Sequence, residues 1–214
     1  MPTKLLAIVG SVTPPGRLLN ATRWLLDTAQ TSRSDLEIEF INLADKKIAF
    51  ADGRPPEQYN DDTASIIEGV RAADGVIVAS PVYRGSFTGA LKNLLDHLPL
   101  ESLAGKPVGI VAMGASQHHF LGVDWHLRDV LAWFGALVVP TSVYLASADF
   151  VDGQLTENAK QDLKDLADAV IRLKEVATPA PGSRRCRWFR ALPPTSSRSR
   201  RHPSCEGKSR PYAA

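Results

Sequence analysis

Three segments of this chain combine small, flexible residues with hydrogen-bond donors: residues 10–21 (GSVTPPGRLLNA), 80–87 (SPVYRGSF) and 114–119 (GASQHH). The first runs into a helical pattern, and the N-terminus of a helix presents unpaired amides and the positive end of the helix dipole. Ser11, Thr13 and Asn20 can donate hydrogen bonds, and Arg17 can neutralise negative charge. This first segment therefore suits a bound phosphate group.

Sequence motifs narrow the class of phosphate ligand. Residues 10–21 do not contain G-x-x-x-x-G-K-[ST], which excludes a P-loop for nucleoside triphosphates, and the lack of G-x-G-x-x-G argues against a Rossmann dinucleotide site. The alternative interpretation is an ordinary turn in which Gly10 and Gly16 serve only the backbone geometry. By itself this segment does not decide between a phosphate site and a turn.

The second segment adds flat surfaces to the donors. Pro81 and Tyr83 offer flat apolar contacts, while the Arg84 side chain and the amides of Arg84 and Gly85 offer hydrogen bonds. An isoalloxazine ring needs this mixture, because flat walls hold it and nearby donors tune its electronics. The alternative is that Tyr83 merely packs at the edge of the domain.

Strand and helix patterns alternate along the chain and position these segments. Strands are predicted at residues 5–9, 36–43, 75–79, 107–113 and 137–145, the last interrupted by Pro140. Helices are predicted at 18–29, 63–73, from the second segment to Pro99, at 120–134 and at 156–176, where Thr156 and Asn158 are capping candidates. The strands at 75–79 and 107–113 are apolar without alternation, which is typical of parallel strands buried on both faces.

Five such alternations predict an α/β domain with a parallel sheet. The length of about 178 residues favours a flavodoxin-like sheet of five strands, in the order 2-1-3-4-5 with helices on both faces, over an eight-stranded barrel of roughly 250 residues. Ligands of such sheets bind beyond the carboxyl ends of the strands, where the strand order reverses. The three donor-rich segments follow the first, third and fourth strands, so we expect them to converge there.

The predicted domain spans residues 1–178, and residues 179–214 form a tail of different composition. The tail holds nine basic residues and one acid, a charge of +8 that leaves −6 for the rest of the +2 chain. It is rich in Pro, Ser and Arg and has no apolar periodicity, so we predict a disordered extension. A basic arm for nucleic acid or an anionic surface is the alternative.

The composition also indicates where the protein is located and which chemistry the domain lacks. Cys186 and Cys205 both lie in the tail, so the domain offers no thiol chemistry. No apolar run approaches the ~20 residues that span a bilayer, and the opening MPTKLLAIVGS lacks the pattern of a signal peptide. We expect a cytoplasmic protein that binds neither membrane nor nucleic acid.

Residues 80–99 (SPVYRGSFTGALKNLLDHLP) resemble the signature of NADPH-dependent FMN reductases with a flavodoxin-like fold. Residues 114–131 resemble the matching segment of the branch that supplies reduced flavin to sulfonate-cleaving monooxygenases. The resemblance covers roughly residues 3–175. It implies hydride transfer from NADPH or NADH to FMN by alignment and electrostatics, without a side-chain acid or base, so no catalytic residue is predicted. It also implies a homodimer or homotetramer and a flavin-dependent monooxygenase as partner.

The same resemblance assigns roles to individual residues. The FMN phosphate would be held by Ser11, Arg17, Leu18 and Asn20, with Leu18 acting through its backbone amide. The flavin ring would be lined by Pro81, Val82, Tyr83, Arg84 and Gly85, and closed on its other side by Gly114 and Ser116. The family often has Arg where Thr13 stands and serines where Leu18 and Leu19 stand. A weaker hold on the phosphate suits an enzyme that releases FMN after reduction.

Other functions fit the residues less well. The spacing of His118, His119 and His126 near Asp124 lacks H-E-x-x-H, so no metal site is predicted, and no G-x-S-x-G marks a hydrolase. A flavodoxin-type electron carrier remains the alternative to the reductase, since the charge of −6 allows an acidic docking face. Reduction of quinones, azo compounds or chromate is a variant of the same flavin chemistry.

Arg84 and the tryptophans of the fourth predicted helix each have two alternative roles. Arg84 is a candidate for the 2′-phosphate of NADPH, although it could equally face water. Trp125 and Trp133 lie on the fourth predicted helix, where they could pack in the core or form the contact between subunits.

Overall fold

The structure is a computed structural model that describes residues 2–13 and 16–177. The predicted domain boundary at residue 178 and the predicted tail of residues 179–214 lie outside the described residues. Among the described residues, every helix is too short or too polar to span a lipid bilayer.

Parallel strands form the centre of the domain in the order β2-β1-β3-β4, followed at the far edge by β5 and β6. Their bounds are Thr3–Val9 (β1), Leu36–Asn42 (β2), Gly75–Pro81 (β3), Pro107–Met113 (β4), Leu137–Val138 (β5) and Val143–Leu145 (β6). β5 and β6 both pair with β4, so two short strands occupy the place of the predicted fifth strand. Pro140 lies between them, and proline has no amide to donate to a strand ladder. The predicted order 2-1-3-4-5 is confirmed.

Five α-helices cover the two faces of this sheet. They are α1 (Arg17–Ser32), α2 (Thr63–Ala72), α3 (Gly89–His97), α4 (Phe120–Trp133) and α5 (Glu157–Val176). α1 and α5 pack on Leu5, Ala7 and Val9 of β1, while α2, α3 and α4 pack on Leu6 and Ile8. Successive residues of β1 therefore face opposite cores, which explains why its apolar run does not alternate.

Two helices begin at a threonine whose side chain caps them. The Thr88 hydroxyl accepts a hydrogen bond from the Leu91 amide at the start of α3, and the Thr156 hydroxyl accepts one from the Ala159 amide at the start of α5. The cap predicted at Thr156 is confirmed, and Asn158 lies inside the helix. Each cap satisfies one amide that the helix cannot pair itself.

The prediction from sequence missed one short hairpin. β7 (Phe150–Val151) pairs antiparallel with β8 (Gln154–Leu155) through a two-residue turn. Asp152 and Gly153 both have positive φ there, at 49° and 78°. The dipeptide Asp-Gly is a strong signal for this kind of turn and could have revealed the hairpin.

Candidate functional site

The loops after β1, β3 and β4 meet at one edge of the sheet, because these three strands are parallel neighbours. Hydrogen bonds join the loops where the strands end. The Gly10 amide donates to the Ala79 carbonyl at 2.7 Å, and the Val82 amide donates to the Met113 carbonyl at 2.8 Å. The predicted convergence of the three donor-rich segments is confirmed.

Thr88 connects the first of these loops to β3 and α3. Its buried hydroxyl donates to the Gly10 carbonyl while it caps α3 by accepting from the Leu91 amide at 3.1 Å. Its own amide donates to the Ser80 hydroxyl at 3.1 Å. A Cβ on Gly10 would lie 2.8 Å from the Leu91 Cβ, so only glycine allows this close approach. The position of the first loop is therefore set by α3.

A cavity of about 130 Å³ opens beside the first loop. It is lined by Val9, Ser11, Thr13, Gly16, Arg17, Leu18, Leu19, Asn42, Pro81 and Met113. Of the predicted phosphate residues, Ser11, Arg17 and Leu18 lie there, and Ser11 and Thr13 share a hydrogen bond of 2.7 Å between their hydroxyls. Asn20 is exposed on α1 and is not among the lining residues. The cavity thus collects three of the four.

The electrostatics of this cavity favour an anion. Gly16 is the N-cap of α1, no side chain of the described residues caps the helix there, and its first turn holds no acid. Arg17 is the first residue of α1 and lines the cavity. Its Nη2 lies 3.5 Å from the Ser147 hydroxyl, and its guanidinium carbon lies 4.9 Å from the centre of the Phe150 ring. An uncapped helix N-terminus next to a cation matches what the FMN phosphate requires.

The Arg17 contacts were not predicted from sequence. Ser147 lies 130 residues from Arg17 along the chain, and Phe150 belongs to the missed hairpin. No local sequence pattern predicts which aromatic ring an arginine will contact, so this contact is known only from the fold. Ser147 and Phe150 therefore hold the Arg17 side chain, and Arg17 lines the cavity.

The loop after β3 forms a tight turn that exposes the predicted ring contacts. Tyr83 and Ser86 exchange backbone hydrogen bonds of 2.8 and 3.0 Å, and the two central residues, Arg84 and Gly85, have φ of 52° and 77°. Positive φ at both positions defines a type I′ turn. Tyr83 keeps 45% of its surface exposed, so packing at the domain edge covers only part of the side chain. Tyr83, Arg84 and Gly85 are all exposed, so a ligand can reach this turn.

The loop after β4 lies directly beside this turn. A Cβ on Gly114 would lie 3.5 Å from Cγ2 of Val82 and 2.0 Å from the Tyr144 hydroxyl, so the Gly114 backbone is enclosed between β3 and β6. Ser116 is half-buried, and its hydroxyl lies 3.4 Å from Nδ1 of His119. Gly114 therefore lies against Val82, and Ser116 follows two residues later in the same loop.

Gly122 on α4 sets the position of the 83–86 turn. A Cβ on Gly122 would lie 2.6 Å from the Gly85 carbonyl oxygen, a contact that forces the turn to move. We expect Gly122→Ala to lower kcat/KM for FMN about 3- to 10-fold, because small displacements of a binding group reduce alignment. The measurement is NADPH oxidation at varied FMN concentration.

Gly89→Ala is the matched control for Gly122→Ala. Gly89 also lies in the first turn of a helix, but a Cβ there would meet nothing within 4 Å. We expect its kinetics to match the unmodified protein. Equal kinetics for both variants would show that the turn does not depend on Gly122.

The chain is similar in sequence and in fold to known proteins. The sequence model of a family described as NADPH-dependent FMN reductase matches residues 3–150. The chain belongs to this family. It is 34% identical to the NAD(P)H-dependent FAD/FMN reductase of Geobacillus thermodenitrificans over 76% of this chain and 83% of that protein. It is also 34% identical to the NADH-dependent FMN reductase SfnF of Pseudomonas fluorescens, over 72% and 82% of the two chains.

A solved structure with the same fold is the apo form of the NADH:FMN oxidoreductase EMOB. Its TM-score is 0.67 at 27% identity, covering 86% of this chain and 94% of that chain. The predicted FMN reductase family is thus confirmed, and with it the class of NAD(P)H:FMN oxidoreductase and the flavodoxin-like fold. The roles of the individual site residues stay predictions.

Of the histidines considered for a metal, His118 and His119 lie just before α4 and His126 lies within it. In the part of the chain that the structure describes, no three His, Cys, Asp or Glu side chains are grouped to hold a metal ion. Asp124 is instead paired with Arg128, whose Nε lies 2.8 Å from Oδ2. Arg128 also donates to the carbonyls of Val139 and Pro140 at 3.0 Å, so this ion pair fastens α4 to the β5–β6 connection.

Proposed function

We propose that this protein binds free FMN at the edge of β1, β3 and β4 and reduces it with NADPH or NADH. The observation that carries the proposal is that the N-terminus of α1 and Arg17 lie beside the ends of β3 and β4, and no side chain of the described residues caps the helix there. The chain is a member of the FMN reductase family. When bound, FMN supplies the hydride acceptor, and the protein supplies binding and alignment.

Each group of residues has a separate task in this proposal. Arg17 and the first amides of α1 neutralise the phosphate, with Ser11 as a further donor. Pro81 and Tyr83 provide flat contacts, and the amides of Arg84 and Gly85 donate to the ring edge. Val82 lines the ring with these residues, and Gly114 and Ser116 close its other side. The Arg84 side chain, which is exposed, would bind the 2′-phosphate of NADPH.

The assay of function adds a catalytic amount of protein to excess FMN and NADPH in air and follows absorbance at 340 nm. We expect rapid loss of absorbance that requires both FMN and protein. A parallel series with NADH compares the two nucleotides, and a quinone or azo compound in place of FMN tests the variant acceptors. No oxidation of either nucleotide by a protein that binds FMN tightly would favour the electron carrier instead.

The destination of the reduced flavin is the second part of the proposal. The resemblance of residues 114–131 to the sulfonate branch supports delivery of reduced FMN to a flavin-dependent monooxygenase in the cytoplasm. Release of FMN after each turnover fits the loss of arginine and serine from the phosphate loop at Thr13, Leu18 and Leu19. Gel filtration after turnover is the check, since a substrate flavin elutes separately from the protein.

We also propose that α4 forms the contact between subunits of a homodimer or homotetramer. Trp125 is 62% exposed and Trp133 is 75% exposed, so neither packs in the core of its own chain. Aromatic residues exposed in this way are characteristic of interfaces.

The double variant Trp125→Asp/Trp133→Asp is expected to lower the molar mass measured by light scattering, because carboxylates at a buried apolar contact are costly. Val176→Asp is the control, since Val176 is 79% exposed at the end of α5. A monomeric unmodified protein, or an unchanged mass of the double variant, would refute the α4 contact.

A further inference from the structure

Tyr144 on β6 holds the backbone of the loop after β4. Its hydroxyl donates to the Ser116 carbonyl at 2.6 Å. Its ring lies over Gly114, where an added Cβ would come within 2.0 Å of Oη and 3.1 Å of Cζ. The same ring is half-buried and packs against the apolar core beneath the sheet. A core residue thus reaches a loop that bounds the flavin position.

The hydrogen bond from Tyr144 to the Ser116 carbonyl lies beyond the last paired residues of β4 and β6. β4 and β6 pair as far as Met113 and Leu145, and the Gly114 amide adds a last bond of 3.0 Å to the Leu145 carbonyl. The Ser116 carbonyl lies two residues further on, where strand pairing no longer fixes the backbone. Burial, with the charge of Asp149 as a second cause, raises the pKa of the Tyr144 phenol, so the hydroxyl keeps its proton at neutral pH.

The hydrogen bond also sets the orientation of the next amide. The described residues contain no cis peptide bonds, and the C=O and N–H of a trans peptide point in opposite directions. Because the Ser116 carbonyl is turned toward Tyr144, the Gln117 N–H is turned away from β6. β3 lies on the opposite side of β4 from β6, and its loop carries the predicted ring contacts.

We propose that Tyr144 is a positioning residue of the flavin site, which holds the Ser116–Gln117 peptide so that the Gln117 amide donates to the flavin ring. This inference rests on the proposed function, since it assumes that the ring lies between the loops after β3 and β4. Tyr144 acts only through the backbone and touches neither the flavin nor the nicotinamide nucleotide.

The test is Tyr144→Phe, which keeps the ring and removes the hydroxyl. In FMN-free protein, we expect amide hydrogen exchange of residues 115–119 to become at least about threefold faster, because the loop loses its anchor. Dissociation constants for FMN and riboflavin, measured by flavin fluorescence, are both expected to rise about 2- to 10-fold, as for the loss of one neutral hydrogen bond. Riboflavin lacks the phosphate, so an equal effect on both ligands locates the change at the ring.

Tyr59→Phe is the matched control. The Tyr59 hydroxyl also makes a hydrogen bond of 2.6 Å, to Asp52 in the loop after β2, and it does not contact the loop after β4. We expect Tyr59→Phe to leave flavin affinity and exchange at residues 115–119 unchanged. A general effect of losing a phenol hydroxyl would appear in both variants and would count against a specific role for Tyr144.

A second variant tests the same contact from the other side. Gly114→Ala should push the phenol off the Ser116 carbonyl, because the Tyr144 hydroxyl is the nearest obstacle to the added methyl group. It should therefore weaken flavin binding more in the unmodified protein than in a protein that already carries Tyr144→Phe. Strict additivity of the two substitutions would contradict the proposed contact.

The remaining outcomes separate this inference from the proposed function. Unchanged exchange in Tyr144→Phe, or faster exchange with unchanged affinity for both flavins, would overturn the role of Tyr144. An unmodified protein that binds both flavins but does not oxidise NADPH or NADH would refute the reductase and leave the role of Tyr144 intact. A protein that binds neither flavin would overturn both.

Discussion

Arg17→Ala is expected to weaken FMN binding about 10- to 100-fold, the loss typical of a charge-assisted hydrogen bond to an anion. The guanidinium lines the cavity at the uncapped N-terminus of α1 and is supported by Ser147 and Phe150. Riboflavin carries no phosphate, so its affinity is expected to stay within about twofold. Fluorescence titration of the two flavins in parallel measures the ratio of their dissociation constants.

Arg23→Ala is the control for Arg17→Ala. Arg23 lies on the same helix and also covers an aromatic ring, with its guanidinium carbon 4.8 Å from the centre of Phe40. It is six residues further from the helix N-terminus, where the helix dipole no longer acts. We expect FMN and riboflavin to bind this variant equally well. If Arg17→Ala weakened both flavins to the same extent, Arg17 would act on the ring or on the fold and not on the phosphate.

Thr88→Val is expected to lower the free energy of unfolding by about 2–4 kcal/mol. The valine keeps the shape but loses the hydroxyl, which removes the cap of α3 at a cost of about 1 kcal/mol and leaves the buried Gly10 carbonyl unpaired at a cost of about 1–3 kcal/mol. Urea denaturation followed by circular dichroism measures the change. FMN binding should weaken as well, because the loop that begins at Gly10 loses its link to α3.

Thr156→Val separates the two parts of this effect. Thr156 caps α5 in the same way, through the Ala159 amide at 3.3 Å, but its hydroxyl makes no second hydrogen bond to a loop. Its loss is expected to cost about 1 kcal/mol and to leave flavin binding unchanged. Equal destabilisation by the two substitutions would mean that the bond from Thr88 to Gly10 contributes nothing to stability.

The fold was accessible from sequence because its signals are local. Apolar runs without alternation mark β3 and β4, a threonine marks the start of α5, and Pro140 marks the break between β5 and β6. The order of the strands follows from the class, since parallel strands linked by helices assemble in few ways. The SPVYRGSF segment likewise led to the family, which the comparison of residues 3–150 confirms.

The arrangement of the site was decided by the tertiary structure. Arg17 meets Ser147, Thr88 meets Gly10, and Tyr144 meets Ser116 across separations of 130, 78 and 28 residues. No periodic pattern encodes such pairs, because they depend on which strand ends lie side by side and how far each loop extends. Asn20 is exposed on α1 and is not among the residues that line the cavity, so its contact with the phosphate stays a prediction.

The two tryptophans of α4 also separate what the sequence shows from what only the tertiary structure decides. Their apolar character is read directly from the sequence, but an apolar side chain is equally suited to a core and to an interface. Only the packing of α4 on the sheet decides which face is covered, and it leaves Trp125 and Trp133 exposed. The sequence by itself determined the five helices, most strands, the family and the three donor-rich loops that converge at one sheet edge. The tertiary structure decided which side chains meet there, because contact between distant residues is a property of the assembled sheet.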